Sequence, residues 1–271
     1  MPELPEVETI RRGIAPWVLD QPVARVVVRQ PQLRWSVPAD LAEHLVGWSF
    51  FAVQRRAKYL LLQNEKGWLL IHLGMSGSLR IVPSDLKPGR HDHVDIAFEN
   101  GRCLRLNDPR RFGAVLWAGN NLEEHALLAH LGPEPLSAEF NGAMLYARSR
   151  GRKLAVKNFI MDQRVVVGIG NIYASEALFR AGIHPGLAAG RISRRRYGLL
   201  ADSVWQVLTE AIAAGGTTLR DFTDENGRPG YFSQQLLVYG REGQPCVRCG
   251  ELIFSETIGQ RSSFFCRRCQ R

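Results

Sequence analysis

The sequence predicts an α+β protein in which one helix leads a β-sandwich, a helical part follows, and a short β-hairpin ends the chain. Three observations carry this expectation. Apolar residues recur at helical spacing near the start. From Val23 to Trp117 the chain breaks into short β-branched or aromatic runs punctuated by Gly, Pro, Asn and Asp. Beyond Pro135 the period becomes helical until a cysteine-rich end.

The leading helix is expected from Pro2 to about Val18. Val7, Ile10, Ile14 and Val18 share a face, Pro5 suits a first turn, and Glu3, Glu6 and Glu8 favour the positive helix N-terminus. Strands are expected at Val23–Arg29, Trp48–Arg55, Tyr59–Gln63, Trp68–Leu73, Ser78–Val82, Val94–Phe98, Cys103–Leu106 and Ala114–Trp117. A linker falls around Leu131-Gly132-Pro133-Glu134-Pro135. Helices are expected near Ala138–Ser149, Ala155–Met161 and Ile172–Ala181. The clearest runs Arg194–Ala214, with Leu200, Val204, Val207, Leu208, Ala211 and Ile212 on one face and Gly215-Gly216 as its stop. The expected division is residues 1–132, 133–235 and 236–271.

Composition sets the partners. The chain has 271 residues, 45% hydrophobic and 23% charged, with 35 Lys and Arg against 26 Asp and Glu, a net charge of +9. That excess favours a polyanionic partner without requiring one. No apolar run approaches the ~18 residues of a membrane helix, and no secretory leader is visible. A cytoplasmic protein is expected, and cytoplasmic proteins rarely carry structural disulfides.

Four of the five cysteines therefore need another explanation. Cys246-Val-Arg-Cys249 and Cys266-Arg-Arg-Cys269 each place two thiolates on one turn, and two such turns complete a closed tetrahedral site for one structural zinc ion. Thr257, Ile258, Phe264 and Phe265 fit a β-hairpin around it. Arg248, Arg261, Arg267 and Arg268 make that module a candidate reader of a nucleic-acid backbone, and it would serve a non-enzymatic binding protein as well. Cys103 is expected in the core.

The opening Met1-Pro2-Glu3-Leu4-Pro5-Glu6 reads in two ways. It is a helix start with prolines where prolines are tolerated. Alternatively, removal of Met1 exposes a secondary amine on Pro2. An α-amine near pKa ~8 is about 10–20% unprotonated at neutral pH, against about 0.04% for lysine, but a proline amine is more basic than a primary α-amine, so its surroundings must lower its pKa. Such an amine adding to a sugar C1′ gives a cationic iminium that drains electrons from the neighbouring bonds. Glu3 beside it suits proton transfer.

With this opening stand RRAKYLL around Lys58, HLGMSGSLR at 72–80, HDHVD at 91–95, DPRRFG at 108–113, GIGNIYASEALF at 168–179 and the terminal cysteines. In that order, and over essentially the whole chain, they resemble the bacterial formamidopyrimidine-DNA glycosylase (8-oxoguanine DNA glycosylase) family. The resemblance implies a helix-led β-sandwich, then a helix–two-turns–helix domain carrying a zinc finger. It implies excision of oxidised purines from duplex DNA through a Schiff base, followed by β,δ-elimination, by a monomer working where the DNA lies.

The resemblance also implies residue roles. Pro2 is the nucleophile, Glu3 the general acid/base, and Lys58 and Arg261 belong with the catalytic set. His72, Asn171 and Arg261 match positions gripping phosphates, and His91 lies among the DNA-contacting residues. Lys157 matches a lysine linked to oxidised-purine preference. Met75, Arg110 and Phe112 match a trio filling the gap left by a flipped base.

Each residue has a plainer reading. Asn171 precedes a helix and would also serve as its N-cap. Lys58 reads as an exposed charge on an edge strand, His72 as a core histidine, and DPRRFG as a solvent-facing turn. Gly74 and Gly77 allow a tight hairpin with Met75 at its tip. His91-Asp92-His93 has the composition of a metal site, but its alternation and a surface turn count against one. The acidic, glycine-bearing segment Thr217–Gly230 corresponds to the lesion-capping region of the family.

Two rivals remain. Endonuclease VIII relatives share the Pro-Glu opening but usually have glycine where this chain has Leu4. A lesion-binding protein without catalysis is the other, opposed by intact Pro2, Glu3 and Lys58.

Overall fold

The computed structural model describes residues 2–216 and 235–271. Their contacts divide them into two compact units. One comprises residues 2–129 and 214–216, the other His130–Ala213 and residues 235–271.

The first unit begins with α1 (Leu4–Val18), which has Pro5 in its first turn and buries Leu4, Val7, Ile10, Ile14 and Val18. After β1 (Val23–Val28) and the short α2 (Leu41–Leu45) come seven strands: β2 (Ala52–Arg56), β3 (Tyr59–Asn64), β4 (Gly67–His72), β5 (Ser78–Pro83), β6 (Asp92–Phe98), β7 (Arg102–Asn107) and β8 (Ala114–Gly119). They form two antiparallel four-stranded sheets, ordered β1-β6-β7-β5 and β2-β3-β4-β8. Leu60, Leu62, Leu69 and Ile71 of one sheet share a core with Val94, Ile96, Leu104 and Leu106 of the other. The apolar face of α1 closes that core through Val7, Ile10 and Ile14, each such side chain contributing roughly 1.5–3 kcal/mol when fully buried. This is the helix-led sandwich expected from the alternation.

Two local features differ from the sequence reading. The strand expected from Trp48 starts at Ala52, because Ser49 and Phe50 make only isolated bridges, to Pro22 and Leu19. Helix α2 was not expected, since five residues are too few to display a 3.6-residue period.

The other face of the first sheet holds a buried ion cluster. Arg105 is 1% exposed. It pairs across the strands with Asp95, Nε to Oδ1 at 2.8 Å, and Arg29 reaches the same carboxylate at 2.6 Å. Burial pushes the Asp95 carboxyl up, but the hydrogen bonds from Arg29 and Arg105 outweigh it and hold the group below its ordinary range.

The second unit holds α3 (Gly142–Ser149), α4 (Val156–Met161), α5 (Asn171–Arg180), α6 (Arg194–Ala213) and a hairpin of β9 (Phe254–Ile258) and β10 (Arg261–Phe265). α3 starts at Gly142 rather than Ala138 because the Asn141 side chain caps it, accepting the Met144 N–H at 2.9 Å. A Cβ on Gly142 would lie 2.5 Å from Gly198 Cα, so glycine lets α3 approach α6. α6 buries Leu200, Val204, Val207, Leu208 and Ala211, while Ile212 is only half-buried. On α5, Glu176 accepts the N–H groups of Leu237, Val238 and Tyr239 at 2.9–3.0 Å. That contact brings the chain to the terminal module, whose core is Phe179, Val238, Cys246, Ile253 and Cys266.

Among the described residues no helix is long and apolar enough to cross a membrane. The segment Thr217–Gly230 lies outside the described residues.

Candidate active site and nucleic-acid interface

Pro2 is buried, and Glu3, 2% exposed, is the N-cap of α1. The Glu3 amide N–H donates to Glu6 Oε2 at 2.8 Å, one arm of a capping box that fixes the backbone of the first residues. Glu6 itself is 1% exposed. An E-x-x-E spacing at a helix start is the signal by which Glu6 was findable from sequence.

Lys58 follows Ala57, whose left-handed φ of 54° turns the chain between β2 and β3. Arg55 Nη1 donates to the Ala57 carbonyl at 2.9 Å and holds that turn. Lys58 is 5% exposed, so it is not the solvent-facing charge of the plainer reading.

His72 ends β4 and lies against Tyr59, ring centroids 4.9 Å apart. Burial, then the positive charges of Lys58 and Arg34, lower its pKa to about 4. The imidazole is therefore neutral near pH 7. Its Nδ1 accepts the Gly74 N–H at 3.0 Å, which assigns the remaining proton to Nε2 and makes that nitrogen a donor. A donor there suits a phosphate oxygen. Arg34 carries no sequence signal and was missed.

Two loops meet beside His72. Gly74, at φ +62°, has Phe112 against its Cα, and a Cβ would fall 2.4 Å from the Phe112 carbonyl carbon. Met75 at the tip of one loop is 44% exposed, and Phe112 of the other is 41% exposed. The exposed Arg110 guanidinium sits 4.7 Å above the Phe112 ring. A pocket of about 520 Å³ lies between them, lined by Leu33, Arg34, His72, Met75, Arg111 and Phe112 among others. Lys58, His72, Met75, Arg110 and Phe112 thus gather around these adjoining turns of the first unit.

His91 contributes its carbonyl to the Asp108 N–H at 3.0 Å. The neighbouring His93 Nε2 pairs with the Asp108 carbonyl at 2.8 Å, and Asp92 pairs with Arg80 and Asn107. The Asp92 and His93 side chains are committed elsewhere, and among the described residues the cluster fit for a metal is Cys246, Cys249, Cys266 and Cys269.

In the second unit Lys157 is 0% exposed. Its Nζ donates to Ser263 Oγ at 2.6 Å and to the Ser262 carbonyl at 3.0 Å. Asn171 is the first residue of α5, Gly170 being the N-cap, so the capping reading fails. Its Nδ2 donates to the same Ser262 carbonyl at 3.0 Å, and its buried Oδ1 has no hydrogen-bond partner among the described residues. Lys157 and Asn171 thus grip β10 next to the exposed Arg261. Ser262 and Ser263 were missed, since serines in a hairpin carry no pattern.

The four cysteine sulfurs lie within 4.8 Å of one another, with Cys246–Cys269 at 3.9 Å and Cys249–Cys266 at 3.5 Å. A tetrahedral zinc site with Zn–S bonds of ~2.3 Å needs sulfurs about 3.8 Å apart. The residues fit one zinc ion, and four protein ligands make it structural. Burial raises the Cys246 thiol, yet N–H groups of Arg248 and Cys249 bring it down to about 7; burial and the other thiols push Cys269 up to about 12. Four thiols this close do not all ionise without a cation.

Not all the module's arginines face outward. Arg248 donates to the carbonyls of Phe179 and Arg180 and lies over the Phe179 ring, and Arg267 stacks on Phe254.

The described residues thus give a helix-led sandwich that opens on a buried Pro-Glu pair, and a unit of helices with a four-cysteine module fit for zinc. Family models match along the chain: the formamidopyrimidine-DNA glycosylase N-terminal domain at residues 1–115, the H2TH domain of that enzyme at 131–223, and the zinc finger found in FPG and IleRS at 243–271. The chain is 78% identical to the formamidopyrimidine-DNA glycosylase of Syntrophotalea carbinolica over the full length of both. It is 57% identical to that of Alkalilimnicola ehrlichii, also covering both chains fully. The MutM (Fpg) crystal structure from Thermus thermophilus superposes with a TM-score of 0.90 at 38% identity, covering 99% of this chain and 98% of that one. A Lactococcus lactis Fpg complex with abasic-site DNA gives 0.93 at 30% identity, covering 99% of each chain. The chain belongs to the formamidopyrimidine-DNA glycosylase family.

Proposed function

We propose that this chain excises oxidised purines, 8-oxoguanine and formamidopyrimidines, from duplex DNA and then cleaves the strand, using the Pro2 amine as nucleophile. The observation that carries the proposal is the buried head of α1, where Glu6 holds the Glu3 amide at 2.8 Å and fixes the residue before it. Once Met1 is removed, Pro2 presents a secondary amine at the positive end of a helix. Burial and that partial charge both disfavour a protonated amine.

The amine lone pair attacks C1′ and the N-glycosidic bond breaks, the base leaving with the bonding pair and taking a proton. The added nitrogen gives up its proton, and the C1′–O4′ bond then opens to an iminium as O4′ takes a proton up. The iminium draws electrons from C2′, so loss of a C2′ proton expels the 3′ phosphate. Loss of a C4′ proton then expels the 5′ phosphate, and water releases the sugar remnant from Pro2. Glu3 is proposed to give and take these protons.

Lys58, the His72 Nε2–H, Asn171 and Arg261 are proposed phosphate contacts, with Lys157 holding the hairpin that bears Arg261. His91 is proposed to act through its backbone carbonyl. Met75, Arg110 and Phe112 are proposed to fill the space of the flipped nucleotide. Lactococcus lactis relatives bound to FAPY-dG and to abasic-site DNA support the substrate class. We place the protein in the cytoplasm, with the DNA, as a monomer.

The test is borohydride trapping on duplexes carrying 8-oxoguanine or an oxidised pyrimidine. A covalent adduct with the oxidised purine is expected, and mass spectrometry of the native chain should show Met1 gone. A chain with an uncleavable N-terminal extension should bind the duplex but form no adduct; normal trapping by that chain would overturn the role of Pro2. Faster reaction with the pyrimidine would favour endonuclease VIII-like specificity.

A further inference from the structure

Asp108 is 0% exposed and ties together the two loops that carry the exposed Met75 and Phe112. Its Oδ1 accepts the Ser76 hydroxyl at 3.2 Å, and its Oδ2 accepts the Gly113 N–H at 2.7 Å. Its main chain is equally committed: the N–H donates to the His91 carbonyl at 3.0 Å, and its carbonyl accepts from Arg111 N–H at 3.2 Å and pairs with His93 Nε2 at 2.8 Å. A buried carboxylate is costly unless donors surround it, so this one holds its two donors firmly. Ser76 directly follows Met75, and Gly113 directly follows Phe112. The one carboxylate therefore grips the chain one residue beyond each exposed apolar side chain.

We infer that Asp108 and Ser76 are positioning residues that fix the spacing between the Met75 and Phe112 wedges, so that both enter the duplex together when the lesion leaves the stack. The inference rests on the proposed gap-filling role of those side chains. A wedge recovers stacking only if it meets the vacated step at the right depth. Side chains on two independently moving loops would lose that recovery to the entropy of ordering them during insertion. A pre-tied pair has met that cost in folding.

The test compares Ser76→Ala, Ser76→Thr and Met75→Ala with the parent chain on two substrates. One is an 8-oxoguanine–cytosine duplex, read as single-turnover excision. The other is an abasic site facing a one-nucleotide gap, where no partner base has to be restacked, read as strand cleavage. Ser76→Ala removes one hydrogen bond, and the ratio of the first rate to the second should fall roughly five- to tenfold. Met75→Ala should lower the same ratio, and Ser76→Thr, which keeps the hydroxyl, should restore it. A Ser76→Ala ratio equal to the parent's, with Met75→Ala still defective, would overturn the tie and leave the gap-filling role standing. Equal losses on both substrates for Ser76→Ala would overturn it too, as a general structural defect. No change for either alanine variant would remove the gap-filling role, and the tie with it.

Discussion

His72 takes the Gly74 N–H on its Nδ1 at 3.0 Å, and this bond selects the tautomer that leaves Nε2 as a donor. The same bond anchors the loop that carries Met75 to the end of β4. The charge state of this side chain and the geometry of the loop are therefore joined at one imidazole.

The first prediction is a pH dependence of stability. The folded pKa of His72 lies at about 4, below the ordinary 6.5, so the unfolded chain binds the extra proton between those values. The neutral-histidine contribution is thus fully present above about pH 6.5 and is lost as pH falls toward 4, by up to about 3 kcal/mol. Thermal unfolding at pH 7 and pH 5 should show a smaller difference for His72→Gln than for the parent chain. An identical difference would mean that other groups carry the acid sensitivity.

The second prediction concerns Arg110, stacked 4.7 Å above Phe112. Cytosine left behind by the lesion offers O2 and N3 as acceptors to a donor-only guanidinium, whereas adenine presents an amino donor on that edge. Arg110→Ala should erode the preference for cytosine over adenine opposite 8-oxoguanine, by about 5- to 150-fold for a base contact of roughly 1–3 kcal/mol. Phe112→Ala should slow excision opposite both bases. It should cost the preference only a fewfold, because an exposed cation–π contact is worth about 0.5–1 kcal/mol. Single-turnover rates on the two duplexes decide it; equal losses for Arg110→Ala would pass the role to Arg111.

The third prediction concerns the metal. Cys249→Ser leaves three thiolates on a module whose folding depends on the ion. DNA binding should collapse and zinc content should fall, while the apolar core of the sandwich keeps its cooperative unfolding. Unchanged affinity in a zinc-free variant would show that the thiols are incidental.

The sequence alone determined the sandwich, the long α6 and the zinc module. Each is written in local periodicity or spacing: Leu60 and Leu62 alternate, Leu200, Val204 and Val207 recur every turn, and the cysteines sit two to a turn. Pro2 and Glu3 were legible as candidates because the chemistry proposed for them depends on a terminus, and the long motifs carried the rest of the candidate site. Tertiary structure alone decided which groups are buried and paired. Arg105 in β7 reads as a surface charge until Asp95 and Arg29 are brought to it from other strands. Asp108 reads as a turn residue until Ser76, 32 positions away in sequence, donates to it. Lys157 becomes a clamp only when β10 delivers Ser262 and Ser263, more than a hundred residues later. A polar side chain's partner across such distances is set by how the sheets and helices pack, and no local pattern of residues encodes it.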